Sequence, residues 1–348
     1  MKHRSRLVEK VKQLLKRKWG KQLRYILTFC IILFCINLSF SPIAASNTGE
    51  LPTSGTGGEH ITWNYDVETK ILTFTGYGKT GTLSGWYDMH GSVENCGDWY
   101  VLREDVEKLI FSEGITEIAN SAFKDFVKLK EVEFSSTITT IGNEAFLCSG
   151  LEKITIPSTI KKVGSDAFRY SQLKEVVIEE GVKEIGMLAF AWTDIEELTL
   201  PQSIKECPAL TSNCVELKTI NFPDNMEVLM GEWFESCPKL RKVKLPKSIK
   251  WIRNGAFDSS NLESITIPEN VKKLGGYSSS LFLSCKKLKK VVIKSKKIKT
   301  IYPNAFYHFP KKATIYVPNS KKKEYTKMFR KAKLPKKVKI KAIKDMKK

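Results

Sequence analysis

The same string of residues restarts nine times between Val106 and Leu288. Aligned on the opening residue, the units begin at Val106, Leu129, Leu151, Leu173, Ile195, Leu217, Leu240, Leu262 and Leu288, every 22 or 23 residues until a last spacing of 26. The clearest copy is LEKITIPSTIKKVGSDAFRYSQ, residues 151–172. Apolar residues recur at unit positions 1, 4, 6, 10, 13, 17 and 18, here Leu151, Ile154, Ile156, Ile160, Val163, Ala167 and Phe168. One such unit is too short to bury these side chains by itself, whereas stacked copies cover one another, so the period specifies a solenoid.

Within each unit the pattern assigns roles. Positions 4 and 6 alternate with polar residues, so Ile154 and Ile156 face one side of a short strand while Lys153 and Thr155 face the other. Proline often follows, as in Pro157, Pro201, Pro223, Pro246 and Pro268, and ends the pairing because it has no N–H to donate. Ala-Phe then recurs at Ala122-Phe123, Ala145-Phe146, Ala167-Phe168, Ala189-Phe190, Ala256-Phe257 and Ala305-Phe306. The small residue allows close backbone approach and the ring fills the coil interior. Units five and six depart from this, with Thr211-Ser212 and Trp233-Phe234, and unit eight carries the insertion 275–280 before Leu281-Phe282.

The string I-x-I-P-x-x-[IV]-x-x-[IV]-G-x-x-A-F resembles the BspA-like leucine-rich repeat of secreted and cell-surface proteins. The resemblance spans about residues 58–318 and implies an α/β-type repeat solenoid. Its expected features are repeats of about 22–23 residues, a continuous sheet of short strands, mostly β and turn, and an N-terminal β-hairpin cap. The expected layout is a signal peptide (1–45), a linker (46–57), an N-terminal capping β-segment (58–105), nine coils (106–312), a C-terminal cap (313–331) and a basic tail (332–348). Ile61–Tyr65 and Ile71–Thr75 alternate around a polar stretch and read as the hairpin, backed by Trp86, Trp99 and Tyr100. Tyr325, Met328 and Phe329 are spaced for a short amphipathic capping helix.

The ends also bear on location. Residues 1–24 hold ten Lys or Arg against one Glu, residues 25–40 are apolar and uncharged, and small residues follow to Ala45. That reads as a cleavable secretory signal, with an uncleaved membrane anchor as the alternative. Phe29 and Phe34 before Cys30 and Cys35 argue against a lipoprotein signal. Of the net +21, residues 321–348 supply +12, a solvated end or a site for anionic envelope polymers.

Catalytic signals are sparse. His60, His90 and His308 have no metal spacing, His90 and Cys96 sit in no nucleophile motif, and no phosphate loop occurs, so no cofactor or metal is expected. Cys148, Cys214, Cys237 and Cys285 each precede the next opening residue by three and read as one buried slot of mostly free thiols. Cys214 with Cys237 or Cys207 is the disulfide alternative, and Cys96 has no assigned partner.

Together these features point to a non-enzymatic secreted or cell-surface protein that binds an extracellular protein or glycan, for adhesion or for host or envelope interaction. It is expected to be a monomer without nucleic-acid partners. The alternatives are an enzyme with a site in the N-terminal segment, or a purely structural envelope protein. The exposed strand positions 3 and 5 are the candidate binding face. Coils two to five offer Glu131, Glu133, Glu175 and Glu197 against Lys153, a net of −3, and coils six to nine offer Lys242, Lys244 and Lys290, a net of +3. Such a bipolar face would orient a partner end to end.

Overall fold

The computed structural model describes residues 51–81, 98–206, 208–277 and 280–346. The signal segment, Trp86, His90, Cys96 and Cys207 lie outside the described residues.

Each unit closes one coil, and the coils stack through parallel strands. Lys153–Ile156 pairs with Glu175–Ile178, placing Ile154 beside Val176 and Ile156 beside Ile178. Glu197–Thr199 pairs in the same way with Thr219–Asn221. Ser264–Ile267, Lys290–Ile293, Thr314–Val317 and Lys339–Ala342 follow one another in parallel. Residues 242–245 of coil seven are not assigned to a strand, although Val243 is half-buried and Leu245 buried, so the alternation survives there. Repetition of one pattern therefore places apolar on apolar at each level, at the spacing of about 4.8 Å set by strand pairing.

Most coils also contain a second, shorter strand, at positions 12 and 13 in coils two to four and six to eight, which the sequence pattern did not reveal. Thr140–Ile141, Lys162–Val163 and Glu184–Ile185 pair in parallel, and so do Val228–Leu229, Trp251–Ile252, Lys273–Leu274 and Thr300–Ile301. The residue that follows is Gly164 or Gly186 in coils three and four. A Cβ there would lie 2.4 and 2.2 Å from the backbone nitrogens of Asn143 and Ser165 in the preceding coil, so only glycine fits.

The α/β part of the expectation is corrected on the convex side, which is built of turns. Among the described residues the one α-helix is Lys322–Lys331. The turns alternate in handedness: Glu144 and Cys148, then Asp166 and Tyr170, adopt positive φ at positions 16 and 20. This rotates successive N–H groups toward the next coil. Glu144, Phe146 and Cys148 donate to the carbonyls of Ser165, Ala167 and Arg169, at 2.9, 2.8 and 2.9 Å. A helix would have spent these donors within its own coil. The arrangement seats the Ala-Phe rings in register: Phe123, Phe146, Phe168 and Phe190 stack with centroids 5.3–5.7 Å apart.

Coil five interrupts this stack. Leu188, Phe190 and Trp192 donate to Ala209, Leu210 and Ser212, so the turn is one residue short. Thr211 takes the ring position and donates its hydroxyl to Trp233 O at 3.0 Å. The rings resume at Phe234, Phe257 and Phe282.

Both ends of the stack carry extra strands. Ser54–Gly58, Ile61–Asp66 and Ile71–Gly76 form an antiparallel strip, so the end of the expected linker is a strand. Ile71–Gly76 then pairs in parallel with Lys108–Phe111 of coil one. Phe74 sits 5.3 Å from Trp99 and 5.5 Å from Phe111, joining the strip to the core. At the other end, the expected helix buries Tyr325 and Phe329, with Phe329 4.9 Å from Phe306. The expected basic tail is no loose end: Lys339–Ala342 pairs with Thr314–Val317, while Leu334 and Val338 are buried. Its lysines point outward on strand positions whose neighbours point in, which is why a charged segment can still be a rung.

Candidate binding surface

Glu131, Glu133, Glu175, Glu197, Lys242, Lys244 and Lys290 are all exposed on the outer side of the first ladder. The two charge groups behave differently. Lys108 of coil one, outside the span read for the bipolar face, lies 3.2 Å from Glu131 and also bonds Glu133. Donating hydrogen bonds to Glu133 and to Glu131 raises the Lys108 ammonium above its usual pKa. Lys153 pairs with Glu175 at 3.3 Å, and Asn221 Nδ2 donates to Glu197 at 2.7 Å. Among the described residues no carboxylate lies within ion-pair distance of Lys242, Lys244 or Lys290. The acids are thus already engaged and the lysines are not. One position departs from the expected pattern: Val292, at position 5 of coil nine, is buried between Thr266 and Tyr316.

Position 2 carries a signal that a reading of positions 3 and 5 passed over. Its residues run Glu107, Lys130, Glu152, Lys174, Glu196, Lys218, Arg241, Glu263 and Lys289. Stacking sets them side by side: Lys130–Glu107 at 2.6 Å, Lys174–Glu152 at 2.8 Å, Lys218–Glu196 at 2.6 Å and Lys289–Glu263 at 3.4 Å. The Lys174 and Lys218 ammonium groups hold the Glu152 and Glu196 carboxyls below their usual pKa. Exposed pairs of this kind contribute little each, about 0–1 kcal/mol, but the alternation from Glu107 to Lys218 disfavours a coil stacked out of register. Counting charges at intervals of 22 residues would have found it.

A shallow open depression is lined by Lys153, Lys174, Glu175, Asp194, Glu196 and Glu216. Among the described residues no group of three His, Cys, Asp or Glu is placed to hold a metal ion. The described cysteines are free thiols, but they do not share one slot. Cys214, Cys237 and Cys285 donate to the carbonyls of Phe190, Thr211 and Phe257 in the preceding coil, at 3.1, 3.0 and 2.7 Å. Ser171 and Thr193 fill the same place with hydroxyls. Cys148 lies one residue earlier, on the left-handed turn position. The shortened turn of coil five, the 23-residue length of coil six and the insertion of coil eight had made the two sites coincide when counted back from the next opening residue. Burial pushes the thiols of Cys148 and Cys285 up to about 12 and that of Cys214 up to about 11, so they are poor nucleophiles at neutral pH.

Charge divides the solenoid at coil seven. Residues 47–238 hold fifteen Lys or Arg against thirty-one Asp or Glu, whereas residues 239–348 hold thirty-three against five. The near-zero sum over the coils therefore conceals two oppositely charged parts.

Residues 101–211 and 209–335 match the BspA type leucine rich repeat region in six copies. The chain belongs to the BspA-type leucine-rich repeat family. Among curated proteins none matches the chain. Three solved bacterial structures are similar. A leucine-rich repeat protein from Bacteroides ovatus is 19% identical with a TM-score of 0.45, over 83% of this chain and 79% of that one. One from Eubacterium ventriosum is 17% identical with a TM-score of 0.41, over 77% and 79%. A leucine rich cell surface protein from Faecalibacterium prausnitzii is 17% identical with a TM-score of 0.38, over 85% and 96%. No helix among the described residues of this BspA-type chain is long and apolar enough to cross a membrane.

Proposed function

We propose that this BspA-type protein is a non-enzymatic binder, secreted through its N-terminal signal or held by it at the cell surface, that takes an extracellular protein or glycan for adhesion. The observation that carries this reading is the outer side of the first ladder, where Lys242, Lys244 and Lys290 stand exposed and without carboxylate partners among the described residues. A repeat solenoid offers extended surface rather than an enclosed pocket, which suits recognition better than catalysis. The acidic half serves a different end in this reading. Its ladder-face carboxylates are already engaged by Lys108, Lys153 and Asn221 and its remaining excess of acids keeps the molecule soluble, while the basic half meets an anionic partner, envelope polymers included. The antiparallel strip Ser54–Gly76 acts as the cap that closes the first coil, and the protein works as a monomer.

The test begins with a pull-down of matrix, mucin and envelope components by the full chain. For the ligand recovered, Lys242→Glu with Lys244→Glu should slow association and reduce its salt dependence, because exposed charges act mainly on encounter rate. Glu131→Lys with Glu133→Lys should leave the rate within about twofold, since those carboxylates already engage Lys108. Equal rates for both charge-reversed proteins and the parent would place recognition elsewhere.

A further inference from the structure

A second surface lies on another side of the coil, along the short second ladder. There the position held by Gly164 and Gly186 in coils three and four is taken by Met230, Arg253 and Tyr302 in coils six, seven and nine. The larger side chains gather around Trp251. The Arg253 guanidinium and the Lys273 ammonium each lie 5.1 Å from the Trp251 ring centroid. Tyr302 stacks on the same indole at 6.2 Å, and Trp251 Nε1 donates to Gly275 O at 2.9 Å, fixing the ring.

The insertion of coil eight completes this group. Tyr277 is 87% exposed. Its ring stands at 75° to that of Tyr302, with centroids 5.0 Å apart. Two tyrosine faces thus form an open corner beside two cations, neither of which has a carboxylate partner among the described residues. A large aromatic ring left in water is unfavourable unless something covers it, and the core claims none of this ring.

The chemistry selects the occupant. A pyranose presents an apolar C–H face to the negative face of an aromatic ring, and a uronic acid carries a carboxylate at the rim of that sugar ring. Arg253 offers a planar pair of donors that matches a carboxylate, and Lys273 adds a point charge. The surrounding excess of lysine from residue 239 onward attracts a polyanion over a longer range. We propose that this corner binds an acidic polysaccharide built of uronic acids, with a sugar ring against Tyr277 and Tyr302 and its carboxylate on Arg253 and Lys273. The inference rests on the reading of the chain as an extracellular binding protein, but it uses a different face from the first ladder.

The test is calorimetric titration of the full chain with hyaluronan and with polygalacturonate oligosaccharides. Carboxyl-reduced forms of both and a single-stranded DNA oligonucleotide complete the panel. Binding to at least one uronate oligosaccharide is expected, weakened about tenfold or more by carboxyl reduction and by Tyr277→Ala. Arg253→Gln with Lys273→Gln should weaken it similarly, whereas Lys322→Gln with Lys323→Gln, an equal loss of charge on the C-terminal helix, should change it by less than about twofold. Circular dichroism checks that each variant folds. Absence of binding to both oligosaccharides, an equal response to the two pairs of charge substitutions with none to Tyr277→Ala, or tighter binding of the DNA would each overturn the proposal. Lys242→Glu with Lys244→Glu separates the two readings. A ligand lost by that variant and kept by Tyr277→Ala leaves the ladder face standing and removes this site.

Discussion

Phe168 lies between the rings of Phe146 and Phe190, 5.3 and 5.7 Å away, and is fully buried. Its side chain therefore belongs to three coils at once. Phe168→Ala should cost about 3–5 kcal/mol, because the turns on either side are locked by inter-coil hydrogen bonds and cannot collapse into the space. Val177→Ala is the matched control at an exposed strand position, expected to change stability by no more than about 0.5 kcal/mol. Denaturant midpoints of the two variants decide this; similar small shifts for both would mean that the ring stack contributes little. The pattern alone identified Phe168 as interior, but it gave no account of the near-parallel geometry, which comes from the left-handed residues at positions 16 and 20.

At the scale of one coil, the weak element is coil five. It lacks the ring between Phe190 and Phe234, and its turn is one residue short. Coils five and six should therefore open at lower free energy than coils three and four. In native-state hydrogen exchange, the amide of Asn213, which donates to Glu235, is expected to exchange before those of Phe146 and Phe168. Simultaneous exchange of all three, at the free energy of global unfolding, would show instead that the solenoid opens as one unit. The departure from Ala-Phe in this copy was legible in the sequence. The missing residue was not, because a deletion inside a turn shows only when the carbonyls of the following coil are matched to their donors.

Across the whole molecule, stability draws on the strand that pairs beyond the last coil. The last rung, Lys339–Ala342, covers the edge of Thr314–Val317, and Leu334 and Val338 beneath it are buried. Deleting residues 332–348 should lose about 1.5–3 kcal/mol for each of these two side chains and lower the melting temperature by roughly 10 °C. The uncovered edge would then present unpaired N–H and C=O groups, and self-association is expected in size-exclusion chromatography with light scattering. A truncated protein that stays monomeric with an unchanged melting temperature would mean that the rung is dispensable. Its fourteen Lys or Arg over residues 321–348 had suggested a solvated end. Alternation within Lys339–Ala342 lets the strand keep lysines in water while Ala342 faces the core.

The sequence by itself determined the coil: its length, its inward residues, the strand at positions 3 to 6 and the Ala-Phe interior. All of these follow from burial within one unit, which a repeated apolar pattern reports directly. It also placed Glu131, Glu133, Lys242 and Lys244 on the outer face, because side chains on a strand alternate. Only the tertiary structure decided what each of those charges meets, since stacking brings together residues about 22 positions apart. Lys108 beside Glu131 and Glu133, and the row of ion pairs from Glu107 to Lys289, are of that kind. The turns in place of helices and the two-residue second strand are as well, because their donors are satisfied by the next coil. The corner of Trp251, Tyr277 and Tyr302 draws one ring from each of three successive coils, a juxtaposition that no single unit of the sequence contains.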